Sequence, residues 1–202
     1  MKLPKEEINN IILNEIKEDS KVLDLGCGDG TLLKFLIDNK NVVGHGIDFN
    51  TEEIIKCIEK GISVIHWNLD NLPLDFPDSS YDMVILTQTL QQVYHPEKLI
   101  LEILRVGKEA ILSFPNFGSK SIRWQFLMKG KMPITSDLPN KWYNTPNIKL
   151  LTIKDFIDFC NENDIDIITQ AYFKSDKGQH TKIKFLPNIM ADIAVFKIRK
   201  NK

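Results

Sequence analysis

Three glycines at every second position, Gly26, Gly28 and Gly30, follow an apolar run that carries Asp24. Glycine adopts positive φ without a steric penalty, and a loop without Cβ atoms lets a ligand lie directly against the main chain. An acidic residue before such a loop suits a cationic ammonium or sulfonium group better than a pyrophosphate. The dinucleotide fingerprint is also not matched, because Thr31 stands where its third glycine belongs. The loop predicts a site for a flat, cationic ligand, with a purely structural glycine turn as the alternative.

A second carboxylate, Asp48, ends another apolar run, 18 residues after Gly30. At the tip of the second parallel strand of an α/β sheet, a carboxylate can accept hydrogen bonds from both ribose hydroxyls. Asp48 and its neighbour Phe49 are therefore candidate ligand contacts. The alternative is a helix start, which Asn50 and Thr51 also indicate. The two roles are compatible, because Asn50 or Thr51 can cap the helix while Asp48 binds.

The glycine loop and the acid before it resemble motif I of class I S-adenosylmethionine-dependent methyltransferases. This resemblance implies S-adenosylmethionine or S-adenosylhomocysteine as the cofactor. In that superfamily an aspartate after the third strand accepts from the adenine amino group, and the next backbone N–H bonds a ring nitrogen. Asn68 stands at the aspartate position here, and Leu69 follows it. An amide oxygen can still accept a hydrogen bond, but Asn68 could equally be an ordinary turn residue.

The fourth apolar run ends in Thr87 and Gln88, at the sheet edge where ligands bind in α/β proteins. Thr87 is a candidate cofactor contact, and Gln88 is a candidate catalytic or acceptor-binding residue. His95 is the nearest titratable side chain and a candidate general base. The alternative for His95 is a plain approach to a helix that has Pro96 in its first turn.

Cys27, inside the glycine loop, is interpreted as a small filler and not as a nucleophile. Its backbone remains a candidate cofactor contact. Cys27, Cys57 and Cys160 are widely spaced, which argues for reduced thiols and against a zinc site or disulfides. No metal is expected.

The order of apolar runs and amphipathic patterns predicts an α/β protein with helices on both faces of a mostly parallel sheet. A long connection joins the last two predicted strands, which could form the antiparallel pair that ends a seven-stranded, Rossmann-like methyltransferase sheet. The predicted strands are 21–25, 42–48, 62–67, 83–86, 109–114, 164–173 and 192–199, and the predicted helices are about 5–18, 31–37, 51–59, 97–106 and 152–160.

Residues 119–150 differ from the rest in being rich in Pro, Asn and aromatics. A stretch of about thirty residues with one short helical pattern exceeds the usual loop length in a compact domain. Its Trp, Phe, Tyr and Met side chains are the types enriched at protein interfaces. The stretch is expected to be an insert that serves either as a lid or as a partner-binding surface.

The whole chain of 202 residues is expected to form a single domain. With 26 basic and 27 acidic residues, its charge is close to neutral and predicts no nucleic-acid partner. It carries no apolar run of about 20 residues that could span a membrane. Its N-terminus lacks the apolar core of a signal peptide, so a cytoplasmic location is expected.

Five stretches together resemble the MetW family of bacterial methionine biosynthesis, from about residue 20 to 175. The resemblance implies a class I methyltransferase fold and a complex with homoserine O-acetyltransferase, made through residues 119–150. It establishes no methyl acceptor, so a methyltransferase acting on a small metabolite is the alternative, and whether the chain is an enzyme is left open. The stretches are 22–30, 86–91, 113–118, 130–133 and 142–148.

Overall fold

The computed structural model describes residues 6–176 and 179–201, so the predicted helix start at residue 5 lies outside the described part. The strands are β1 Lys21–Leu25, β2 Val43–Asp48, β3 Ser63–His66, β4 Tyr81–Thr87, β5 Gly107–Pro115, β6 Ile165–Asp176, β7 Gln179–Ile183 and β8 Ile193–Lys200. They form one sheet in the order β3-β2-β1-β4-β5-β8-β6-β7. The first five strands pair in parallel, and β8 runs antiparallel between β5 and β6.

Helices alternate with the strands, and they begin and end at residues whose types favour helix starts and stops. The side chain of Asn50 accepts from Glu52 N and caps one helix, while Thr152 and Asp155 form a capping box at another. Gly61 has φ +72° just after a helix end, as a C′ glycine does. The helices are α1 Glu6–Glu15, α2 Thr31–Lys40, α3 Thr51–Glu59, α4 Pro96–Val106, α5 Lys120–Lys129, α6 Ile153–Glu162 and α7 Pro187–Met190, with a short 3₁₀ turn at Leu90–Gln92.

The sheet buries apolar side chains on both faces. Successive residues of β1 point to opposite faces, so Leu23 and Leu25 join one apolar layer and Val22 joins the other. In the first layer the rings of Phe114 and Phe196 stack with centroids 5.8 Å apart. Burial on both faces explains why the central strands are almost continuously apolar. This rigid centre holds the strand ends in fixed relative positions.

The predicted α/β fold, with a mostly parallel sheet and an antiparallel C-terminal strand, is confirmed. The predicted count of seven strands was wrong, because β7 adds an eighth. β7 pairs only with β6 at the sheet edge, and only His180 in it is buried. A short, polar edge strand has little apolar alternation, so the sequence pattern predicts only a connection between the strands at 164–173 and 192–199. Within the described residues, no helix has the length and apolar character needed to cross a membrane.

Candidate functional site

A cleft of about 600 Å³ opens at the edge where β1, β2, β3 and β4 end. Parallel strands bring their carboxyl ends to one edge, where the main-chain turns can meet a ligand. Asp24, Cys27, Gly28, Gly30 and His95 do not line the cleft surface. Seven of the residues that the sequence singled out do line it, namely Gly26, Asp48, Phe49, Asn68, Leu69, Thr87 and Gln88.

The glycine loop is fixed to β2 by its own main chain. Gly26 N and Cys27 N both donate to Ile47 O, at 2.8 and 3.0 Å, and Gly28 N donates to Asp48 Oδ2 at 2.8 Å. Gly28 has φ +54°, and a Cβ built on it would meet no atom within 4 Å. The main chain at Gly28 therefore borders open space, as a surface for close ligand approach requires.

Gly26 and Gly30 differ from Gly28, because protein atoms occupy the space that a side chain at either position would need. A Cβ on Gly26 would lie 2.5 Å from Thr89 Oγ1, and one on Gly30 would collide with Ile62 and Cys57. Both glycines have positive φ. Gly30 thus serves packing between the loop, α3 and the segment before β3, whereas Gly26 brings the loop against the segment that follows β4.

The two predicted carboxylates occupy contrasting environments. Asp48 lines the cleft, and its Oδ1 also accepts from Asn50 N at 2.8 Å, so this residue orders the glycine loop and the start of α3 together. Asp24 is only 1% exposed beneath the loop, and its Oδ1 lacks a hydrogen-bond partner among the described residues. Burial, followed by the negative charge of Asp48, raises the pKa of Asp24 to about 7.

The segment after β3 combines the two roles considered for Asn68. Its Oδ1 accepts from Asp70 N at 3.0 Å, which makes a local turn, and the residue also lines the cleft. Asp70 in turn accepts from Tyr94 N at 2.7 Å, so the segments after β3 and β4 are joined beside the cleft. Sequence reasoning missed Asp70 and Tyr94, because their bond joins residues 24 apart.

Gln88 takes a conformation that is uncommon for a residue with a side chain. Its φ is +58°, directly after β4, and its N–H donates to Ser113 O at 2.8 Å. Its side-chain Nε2 is buried without a hydrogen-bond partner in the described structure. Strained backbone and unpaired polar atoms both cost free energy and concentrate at functional sites. Gln88 is therefore the most unusual residue of the cleft lining.

Two other sequence candidates lie away from the cleft surface. His95 is the residue before α4, its side chain is more than half exposed, and its Nδ1 lies 3.4 Å from Glu97 Oε1. The side chain of Cys27 is buried, with its Sγ 3.9 Å from Cys57 Sγ, and burial raises the pKa of the Cys27 thiol well above its usual range. A buried thiol with a raised pKa is a poor nucleophile, which agrees with the interpretation of Cys27 as a filler.

The insert, residues 119–150, contains α5 and then an irregular chain. Its ends are held together at Asn116, whose Oδ1 accepts from Gly118 N and Ile153 N, and by a bond from Phe117 N to Leu151 O. Ten of its large apolar residues are exposed, and some of these border a second open cavity of about 640 Å³. They are Trp124, Phe126, Leu127, Met128, Met132, Ile134, Trp142, Tyr143, Ile148 and Leu150.

The insert is also the most basic part of the chain. It has six Lys or Arg residues and one acidic residue, Asp137, which gives a net charge of +5. Because the net charge of the whole chain is −1, the remaining residues have a net charge of −6. Lys141 Nζ lies 5.7 Å from the Tyr143 ring centroid, and the Trp142 and Tyr143 rings meet edge to face at 5.6 Å. This concentration of charge is hidden in the near-neutral totals.

The fold and the cleft define the class of protein, that of class I methyltransferase-like proteins. A solved S-adenosylmethionine-dependent methyltransferase from Mesorhizobium loti superposes with a TM-score of 0.72, at 16% identity and over 98% of each chain. A possible histamine N-methyltransferase from Thermotoga maritima gives 0.68, at 14% identity, over 96% of this chain and 87% of its own. At such low identity these likenesses concern the fold alone.

Within this class, the chain belongs to the MetW family. The family model, described as methionine biosynthesis protein MetW, matches residues 6–198. The bifunctional methionine biosynthesis protein MetXA/MetW of Rhodopirellula baltica is 35% identical over 193 residues, which are 91% of this chain and 31% of that protein. The chain thus spans about a third of the length of this relative.

Proposed function

We propose that the cleft binds S-adenosylmethionine or S-adenosylhomocysteine. The carboxylate of Asp48 carries this proposal, because it lines the cleft and accepts from Gly28 N, where the main chain borders open space that a Cβ would narrow. Asp48 would accept from the ribose, Asn68 and Leu69 would meet the adenine, and Asp24 would supply negative charge beneath the loop once it has lost its proton. When bound, S-adenosylmethionine supplies an electrophilic methyl group.

We further propose that the chain forms a single domain that supports homoserine O-acetyltransferase and contacts it through residues 119–150. Exposed aromatic and Met side chains on a closed, anchored loop are typical of a protein interface. The R. baltica relative, named as a bifunctional MetXA/MetW protein, supports a link to the MetX activity. The charge of +5 on the insert favours an acidic patch on the partner.

Methyl transfer to a small metabolite is the second candidate function. The unpaired Gln88 Nε2 favours it, because a donor next to the cleft could orient an acceptor molecule. Catalysis would then consist mainly of holding the acceptor in line with the methyl group.

Both functions can be tested with purified protein. Calorimetry should detect saturable binding of S-adenosylhomocysteine, and the acylation rate of homoserine O-acetyltransferase should rise when the chain is added. Ligand binding and raised acylation, without methylated product from a metabolite panel, would support the first function. Methylated product without any effect on acylation would support the second. No ligand binding at all would contradict the assignment of the cleft.

A further inference from the structure

A chain of hydrogen bonds connects the cleft to the insert, and Gln91 stands at its centre. We infer that Gln91 is a positioning residue that couples ligand occupancy of the cleft to the order of the insert's end, at Ile148 and Lys149. This inference rests on the proposed function, because it assumes an adenosyl ligand in the cleft and a partner on the insert.

The first step runs from the ligand surface to Gln88. Thr89 Oγ1 lies against Gly26, so the glycine loop and the segment after β4 are in contact. Gln88 lines the cleft, and its Nε2 lacks an acceptor. A ligand that fills the cleft packs against Gln88, and a ligand oxygen would supply the acceptor that this buried donor lacks if the side chain rotates towards the cleft. Ligand binding thereby restrains a residue that is strained in the free chain.

The second step runs from Gln88 to Gln91. The Gln88 carbonyl accepts from Gln91 Nε2 at 2.7 Å and from Gln92 Nε2 at 2.9 Å. Gln91 is 3% exposed, whereas Gln92 is exposed. Gln91 also has a buried Oε1 without a partner in the described structure. This short segment thus has one strained residue and two unpaired amide atoms, and its hydrogen bonding can still improve.

The third step runs from Gln91 to the insert. The Gln91 carbonyl accepts from both Ile148 N and Lys149 N, at 2.9 and 3.0 Å. These residues directly follow the exposed Trp142 and Tyr143 segment and precede the anchored end at Leu151. Restraining Gln91 therefore restrains the arm that carries the proposed partner contacts. The ligand should then raise the affinity for the partner. By linkage, the partner must raise the affinity for the ligand by the same factor.

Amide hydrogen exchange in the isolated chain tests the coupling without the partner. Saturating S-adenosylhomocysteine should slow exchange at Ile148 and Lys149 by about fivefold or more, because opening of these bonds becomes rarer. Gln91→Leu keeps the size of the side chain but removes the bond to Gln88. It should still bind the ligand, with less than about a threefold change in Kd, and lose the slowing at both amides.

Two further variants keep the test decisive. Gln125→Leu is the matched control, since Gln125 bonds only to Ile134 inside the insert among the described contacts. It should leave the ligand effect at Ile148 and Lys149 intact. Lys149→Pro removes one donor to Gln91 without touching the cleft, and should weaken the ligand effect at Ile148 even where Gln91→Leu does not fold.

The outcomes separate the inference from the function beneath it. Ligand binding that leaves exchange at Ile148 unchanged, or slows it equally in Gln91→Leu, would overturn the coupling and spare the proposed cleft. Failure of the wild-type chain to bind the ligand in calorimetry would overturn both.

Discussion

The main-chain N–H groups of the glycine loop are hydrogen-bonded within the protein, whereas the insert leaves large apolar side chains exposed. At the loop, Gly26, Cys27 and Gly28 all donate their main-chain N–H groups to β2, although the neighbouring cleft lining includes exposed aromatic side chains such as Phe49. In the insert, Trp142 is 73% exposed and Trp124 is 61% exposed. The loop is internally complete and offers a concave surface, whereas the insert leaves apolar area uncovered.

This difference indicates two kinds of ligand. A concave, preformed site with a few fixed polar groups suits a small molecule. The insert presents an exposed aromatic and basic surface beside an open cavity, and such a surface loses most solvent-exposed apolar area when a macromolecule covers it. When each ligand is titrated in the absence of the other, a variant at one site should therefore change one binding reaction and leave the other intact.

The largest expected effect concerns the buried charge beneath the loop. The folded-state pKa of Asp24, about 7, exceeds its ordinary value of 3.8, so the folded chain holds this proton more tightly than the unfolded chain does. The stability that the proton confers is present below pH 4 and is lost as the pH rises to about 7. Asp24→Asn should therefore gain stability over wild type across this window, by up to about 4 kcal/mol.

Denaturant unfolding of both chains at pH 4, 5.5 and 7.5 measures this difference. Taking the difference between wild type and Asp24→Asn removes the contributions of other titrating groups, such as Asp29, whose pKa is lowered to about 2. A difference that does not change with pH would mean that Asp24 is already ionised or paired in the folded chain.

The next effect belongs to the insert. Trp142→Ala should weaken binding of homoserine O-acetyltransferase by about a hundredfold, as loss of a central aromatic does at interfaces. The unfolding free energy should change by less than about 0.5 kcal/mol, because Trp142 is exposed in the free chain. Leu101→Ala, at an exposed apolar residue of α4, is the matched control and should bind normally. Equal losses in both variants would argue against a specific site on the insert.

A third test separates the glycines within the loop. Gly30→Ala should lower the unfolding free energy by about 2–3 kcal/mol, because its Cβ collides with buried atoms at positive φ. Gly28→Ala should cost only about 1 kcal/mol, for its positive φ, and still weaken S-adenosylhomocysteine binding by about tenfold. Chemical denaturation and calorimetry on the same samples measure both. Unchanged affinity for S-adenosylhomocysteine in Gly28→Ala would mean that the ligand does not contact the main chain at position 28.

The sequence predicted the parts of the molecule that local rules determine. Glycine spacing and the acid at the end of β2 indicated the cleft, and the side-chain types of residues 119–150 indicated the insert. The bonds of Gln91 could not be foreseen, because its carbonyl meets Ile148 and Lys149, more than 50 residues away along the chain. The same holds for Asp70 and Tyr94. Gln88 is a candidate on sequence grounds, but its positive φ could not be foreseen, since nothing in its neighbours demands it.

Calorimetric titration of homoserine O-acetyltransferase into the ligand-free chain tests whether the cleft and the insert bind their ligands at separate sites. We expect wild type and Gly28→Ala to bind with affinities within about threefold of each other, and Trp142→Ala to bind about a hundredfold more weakly. Loss of partner binding in Gly28→Ala, or normal binding in Trp142→Ala, would contradict the account.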